Sequence, residues 1–116
     1  MRILFDHSAP YNLARHLVGH VVSTAEECGW DRLTNGALLE LAEKGGFDLL
    51  LTADKNLRYQ QNLLNRKIAI LVLGNSPWPL VRLHIAEIAE AVNAPAPGSY
   101  TEVEIPLPSK KPATRS

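Results

Sequence analysis

The chain has 116 residues, 46% of them hydrophobic, which suits one domain built around one core. Twelve basic residues balance twelve acidic ones, which excludes a polycation that grips nucleic acid by bulk charge and leaves only a local patch for that purpose. No apolar run approaches the roughly 18 residues needed to span a bilayer, Met1-Arg2 leads straight into a short apolar run, and Cys28 has no second cysteine to pair with, so a soluble cytoplasmic protein without membrane contact is expected.

Residues 2–5 read as a short buried strand closed by Asp6. Ser8 suits the N-cap of a helix over residues 8–18, with Pro10 in its first turn, where a missing N–H does no harm. Gly19 stops that helix, and residues 20–24 read as a second strand. Residues 25–33 read as a loop that holds Trp30 and solvated Glu26 and Glu27. Thr34 or Asn35 suits the N-cap of a helix carrying Leu38, Leu39, Leu41 and Ala42, ended by Gly45-Gly46. Residues 48–52 are a continuous apolar run of the kind that parallel sheets bury on both faces. Asp54 suits the cap of a further helix with Leu57, Leu63 and Leu64.

Residues 68–73 form the fourth strand, and residues 74–79, with two prolines and a glycine, form a loop. A helix over 80–92 places Val81, Ile85, Ile88 and Val92 on one core-facing stripe. Residues 94–98 break the chain, and residues 100–105 alternate as an edge strand. From Pro106 the composition turns to Pro, Ser, Lys and Thr, so residues 106–116 are expected to form a disordered tail. Strand and helix alternate along one domain over residues 1–105. The expected class is α/β, a three-layer α/β/α arrangement with a mainly parallel sheet, whose strand order the pattern does not fix.

Asp6 and Asp54 each follow an apolar strand. In an open α/β sheet the carboxyl ends of the strands face the ligand crevice, so two separate strands can deliver two carboxylates to one place. Paired carboxylates suit Mg²⁺ or Mn²⁺, and those ions suit phosphate chemistry. Asn35, at a helix start, offers an amide oxygen to such a shell or caps its helix. Glu40 is a candidate third carboxylate. Lys55 and Arg58 could hold phosphates, Asn56 could orient a water and Tyr59 could stack a base, although a solvated helix face accounts for the same polar run. His7 follows Asp6, whereas His16, His20 and His84 lack metal-ligand spacing. Glycine-rich phosphate loops, nucleophile elbows and zinc-protease motifs are all missing.

Ile3-Leu4-Phe5-Asp6, the 30–39 segment opening a helix, Leu50-Leu51-Thr52-Ala53-Asp54 and the strand at 68–73 together resemble the PIN-like superfamily, over residues 1–92. The nearest resemblance is to the short PIN-like proteins that often form the toxin half of bacterial toxin–antitoxin pairs. It implies an α/β/α fold with an acidic crevice and metal-dependent cleavage of RNA. It also implies Asp6, Asn35 and Asp54 at the catalytic positions, an antitoxin-like protein as a candidate partner and a homodimer as a candidate assembly. Three positions depart from the family pattern by losing negative charge: His7 after the first aspartate, Asn35 in place of an acid, and Lys55-Asn56 after Asp54. Two other functions therefore stand beside a ribonuclease: a catalytically degenerate binding or regulatory module, and a receiver-like phospho-acceptor domain with Asp54 as acceptor.

Overall fold

The computed structural model describes residues 1–55, 57, 66–75, 77–94 and 96–106. Five short strands, β1 (Arg2–Phe5), β2 (Val21–Thr24), β3 (Leu49–Thr52), β4 (Ala69–Leu73) and β5 (Tyr100–Val103), form one sheet in the order β2-β1-β3-β4-β5. Every neighbouring pair is parallel. β3 and β4 are buried at every position, as unbroken apolar runs require when both sheet faces are covered.

Alternation along the strands divides the core in two. Ile3, Phe5, Leu49, Leu51, Leu71 and Leu73 point to a first face, with Leu13 and Leu17 from the β1–β2 connection and Val81, Ile88 and Val92 from the β4–β5 connection. Leu4, Leu50, Ile70 and Val72 point to a second face, with Ala25, Leu38, Leu39, Ala42 and Leu57. The expected three-layer α/β architecture is present. The β4–β5 crossover moves across the sheet in the same direction as β2–β3 but packs on the other face, so the two have opposite hands. Crossovers in parallel sheets are overwhelmingly right-handed, which makes the last connection irregular for a doubly wound sheet.

Local expectations are corrected in three places. The helix expected over 8–18 is a 3₁₀ helix at Tyr11–His16, with Pro10 at its N-cap and no side-chain cap, because the Ser8 hydroxyl is engaged by Asp6 instead. The expected loop at 25–33 begins with a one-turn helix, α1 (Ala25–Cys28), closed by a reciprocal capping box between Thr24 and Glu27. Glu26 and Glu27 are exposed, as expected. The helix α2 (Asn35–Lys44) is capped by Thr34, whose hydroxyl accepts the Ala37 N–H. The helix expected over 80–92 starts earlier and is interrupted: α3 (Trp78–Val81) has Pro79 in its first turn, a 3₁₀ turn spans Arg82–His84, and α4 (Ile85–Asn93) follows. Leu57 is buried, whereas Asn56, Leu63, Leu64 and the tail from residue 107 lie outside the described residues. Among the described residues no helix is long and apolar enough to cross a membrane.

Candidate functional site

Strand register builds the site. Leu4 pairs with Leu50 and Phe5 with Leu51, so the next step along each strand brings Asp6 beside Thr52. The Asp6 N–H extends the ladder by one bond to the Leu51 carbonyl, at 3.1 Å. The chain runs from β1 outward to β2 and then returns past β1 to β3, so the gap between β1 and β3 is the switch point where such sheets bind ligands. Asp6 and Thr52 lie on either side of it. They are 5% and 1% exposed and are the two buried polar residues among those described.

A compact hydrogen-bond network joins the two strand ends. Asp6 Oδ1 accepts the Ser8 N–H at 2.9 Å and the Ser8 hydroxyl at 2.6 Å, and Asp6 Oδ2 accepts the Thr52 hydroxyl. Thr52 Oγ1 in turn accepts the Asp54 N–H at 3.1 Å, and Ser8 Oγ accepts the Ala53 N–H at 2.9 Å. Each hydroxyl therefore donates to Asp6 and accepts from the backbone leaving β3. The Asp54 carboxylate accepts an N–H of the Asn35 amide at 3.0 Å, at the start of α2. That helix packs on the sheet face toward which Leu4 and Leu50 point, which is why Asn35 reaches Asp54.

Asp6, Asn35 and Asp54, three expected site residues distant in sequence, are thus connected through Thr52. The other candidates separate. Lys55 lines a separate hollow of about 220 Å³, with Gly74 just after β4, Glu102 in β5 and Glu104 just after it. Asn56, Arg58 and Tyr59 lie outside the described residues. Glu40 is turned to solvent and meets Lys44 at 3.8 Å. His16 stacks on Trp78, His20 contacts Asn93 and the Met1 amino group, and His84 contacts Glu87.

Sequence reasoning missed the cleft that reaches Asp6. It encloses about 490 Å³ and is lined by Asp6, His7, Ala9, Tyr11, Thr24, Glu26 and Glu27. The signal for it was the Thr24-Ala25-Glu26-Glu27 capping box, which turns the chain at the end of β2 and places α1 beside β1. Ser8 was also read only as a helix cap. Thiol chemistry is disfavoured nearby: burial, and then Glu27, push the Cys28 thiol up, against a smaller opposing pull from Arg2.

No family model matches the chain, and no curated protein or solved structure matches it either.

The donor set decides what could bind. Among the described residues no three His, Cys, Asp or Glu side chains converge on one point. Two aspartates with an asparagine form an all-oxygen set, which suits a hard cation that keeps much of its water, and is too sparse for a pair of cations. The Asp6 carboxylate already accepts three donors and that of Asp54 accepts the Asn35 amide, so a cation there would have to be a single one that displaces or shares those contacts.

Proposed function

We propose that the crevice between β1 and β3 is the site of a metal-dependent ribonuclease of the PIN-like type, working with one divalent cation. One observation supports this reading: Asp6 and Asp54 follow adjacent strands at the switch point, and the Thr52 hydroxyl donates to the Asp6 carboxylate while accepting the Asp54 backbone N–H. When bound, the cation would supply charge neutralisation at a phosphodiester and a more acidic bound water. Asp6 and Asp54 would hold it, and Asn35 would orient Asp54. Thr52 and Ser8 fix Asp6 so that little rearrangement is needed. In this reading RNA is the substrate and a small antitoxin-like protein is the partner.

A binding or regulatory module without cleavage is the second reading. It is favoured by the three donors already on Asp6 and by the neutral Asn35 beside Asp54. The strand order β2-β1-β3-β4-β5 also suits a receiver-like domain. Against that reading, β5 leads into Glu104 and Ile105, without the lysine such a domain needs there, and the β4–β5 connection has the irregular hand.

The test is cleavage of a mixed RNA pool by purified protein with Mn²⁺, beside Asp6→Asn and Asp54→Asn. Cleavage by wild type alone, abolished by EDTA, supports the ribonuclease. Cleavage that persists in both variants refutes this site, and none by any of the three favours the binding module.

A further inference from the structure

We propose that the β2 edge of the sheet is a dimer interface, where a second copy of this chain adds its own β2 antiparallel about a two-fold axis. The inference is independent of what the strand-end site binds. β2 pairs with β1 on one side and ends the sheet on the other. An open strand edge invites pairing, and proteins blunt it with charge, proline or a covering element. The four residues of β2, Val21-Val22-Ser23-Thr24, carry neither charge nor proline. The opposite edge strand, β5, carries Glu102 and is followed by Glu104. Val21 is 64% exposed, Val18 in the turn leading into β2 is 87% exposed, and Tyr11 is 60% exposed. Tyr11 stands beside this edge, since it lines one hollow with Arg15, His20 and Val22 and another with Thr24, Glu26 and Glu27.

Backbone direction fixes the register. The Val21 N–H donates to the Met1 carbonyl at 3.0 Å, so the alternation of the strand turns the Val22 N–H and C=O away from β1. The next outward donor, the Thr24 N–H, is taken by Glu27 Oε1 at 2.8 Å. Val22 is therefore the residue that can exchange both bonds with its symmetry mate, as one hydrogen-bonded pair of an antiparallel ladder. A two-fold axis through that pair sets Val21 opposite the partner's Ser23 and His20 opposite the partner's Thr24.

Charge agrees with that direction. Arg15 is exposed near the entry to β2, and Glu26 and Glu27 are exposed just beyond its exit. Antiparallel pairing brings the arginine of each copy toward the glutamates of the other, twice by symmetry. Area limits the strength. The exposed parts of Tyr11, Val18 and Val21 amount to roughly 400 Å² per copy, half of the roughly 800 Å² that each partner gives a standard stable interface. The strand edge, Asn12 and Arg15 supply the remainder, so the dimer is a weak one, with Kd of about 10 µM.

Sedimentation velocity of the full chain from about 1 to 200 µM measures the dimer, and far-UV circular dichroism checks the fold of each variant. Wild type should pass from monomer to dimer across that range. Val21→Lys adds the kind of charge that blunts strand edges and should weaken the dimer about tenfold or more. Arg15→Glu and Glu26→Arg should each weaken it about threefold to tenfold. The double variant Arg15→Glu/Glu26→Arg should restore it, because the swap recreates both pairs across the axis. Leu83→Lys, at an exposed leucine of the β4–β5 connection, should leave it unchanged. The charge swap changes two exposed side chains and decides the matter should Val21→Lys not fold. A wild type that stays monomeric across the whole range overturns the proposal. So does a dimer that withstands Val21→Lys, one that Leu83→Lys breaks, or a double variant no better than either single one.

Discussion

Replacing Glu43 with alanine should destabilise the protein by about 2–4 kcal/mol at neutral pH, through the loss of one clamp. Glu43, near the end of α2, is 22% exposed and accepts the Arg66 guanidinium at 2.8 Å. Its other oxygen accepts the Lys67 N–H at 2.6 Å and the Ile68 N–H at 3.3 Å, just before β4 begins. Lys67 is exposed, so its freed N–H finds water in the variant. Ile68 is buried, and an orphaned buried N–H costs about 1–3 kcal/mol. Loss of a charge-assisted contact to a partly buried arginine adds about 1 kcal/mol. The sum corresponds to a fall in Tm of roughly 10 °C for a chain of this length.

The pH dependence follows from the same clamp. Burial pushes the Glu43 carboxyl up, but the Arg66 hydrogen bond, the two backbone N–H groups and the arginine charge outweigh it, and the net shift is downward. A group whose folded pKa is depressed stabilises fully above its unfolded value, about 4.3, and loses that contribution as pH falls through the folded one. The gap in stability between wild type and Glu43→Ala should therefore be constant from pH 7 to about 5.5 and narrow toward pH 3. Urea unfolding at each pH measures it. A gap below about 0.5 kcal/mol at pH 7, or one that does not change with pH, would refute the clamp.

Thr52→Val keeps the shape of a fully buried side chain but leaves the Asp6 carboxylate and the Asp54 N–H each short of a partner. It should cost about 2–4 kcal/mol in urea unfolding and weaken Mn²⁺ binding in calorimetry by roughly 10–100-fold. Gly98→Ala should cost about 3 kcal/mol by the same assay. Gly98 has φ of +77°, and an added Cβ would lie 2.5 Å from the Arg66 carbonyl oxygen. Leu39→Ala, at a fully buried position of α2, should cost about 2–5 kcal/mol in urea unfolding.

The layers were legible because β3 and β4 are apolar runs too short for helices, and because the glycines after α2 and after the first connection stand where the chain turns. The stripe of Val81, Ile88 and Val92 was legible for the same kind of reason, as was the hydroxyl cap of α2. Strand order was not legible, since short apolar strands carry no mark of their neighbours. Asp6 and Asp54 could be singled out from the sequence because an acid following a buried strand stands out. What engages the Asp6 carboxylate was not legible: Ser8 and Thr52 look like ordinary cap and strand-end residues until the register places them against it. Lys55 was grouped with Asp54 by proximity in sequence, but the turn after β3 directs it toward β4 and β5.

The central claim is that Asp6 and Asp54 form one cation site, and the most direct measurement is the melting temperature of wild type and Asp54→Asn across a Mn²⁺ titration. A cation at ten times its dissociation constant stabilises the native state by about 1.4 kcal/mol, a rise of roughly 6 °C. The account predicts a saturating rise of that order in wild type and its loss in Asp54→Asn. Equal rises in both proteins, or none in wild type up to about 10 mM Mn²⁺, would contradict it.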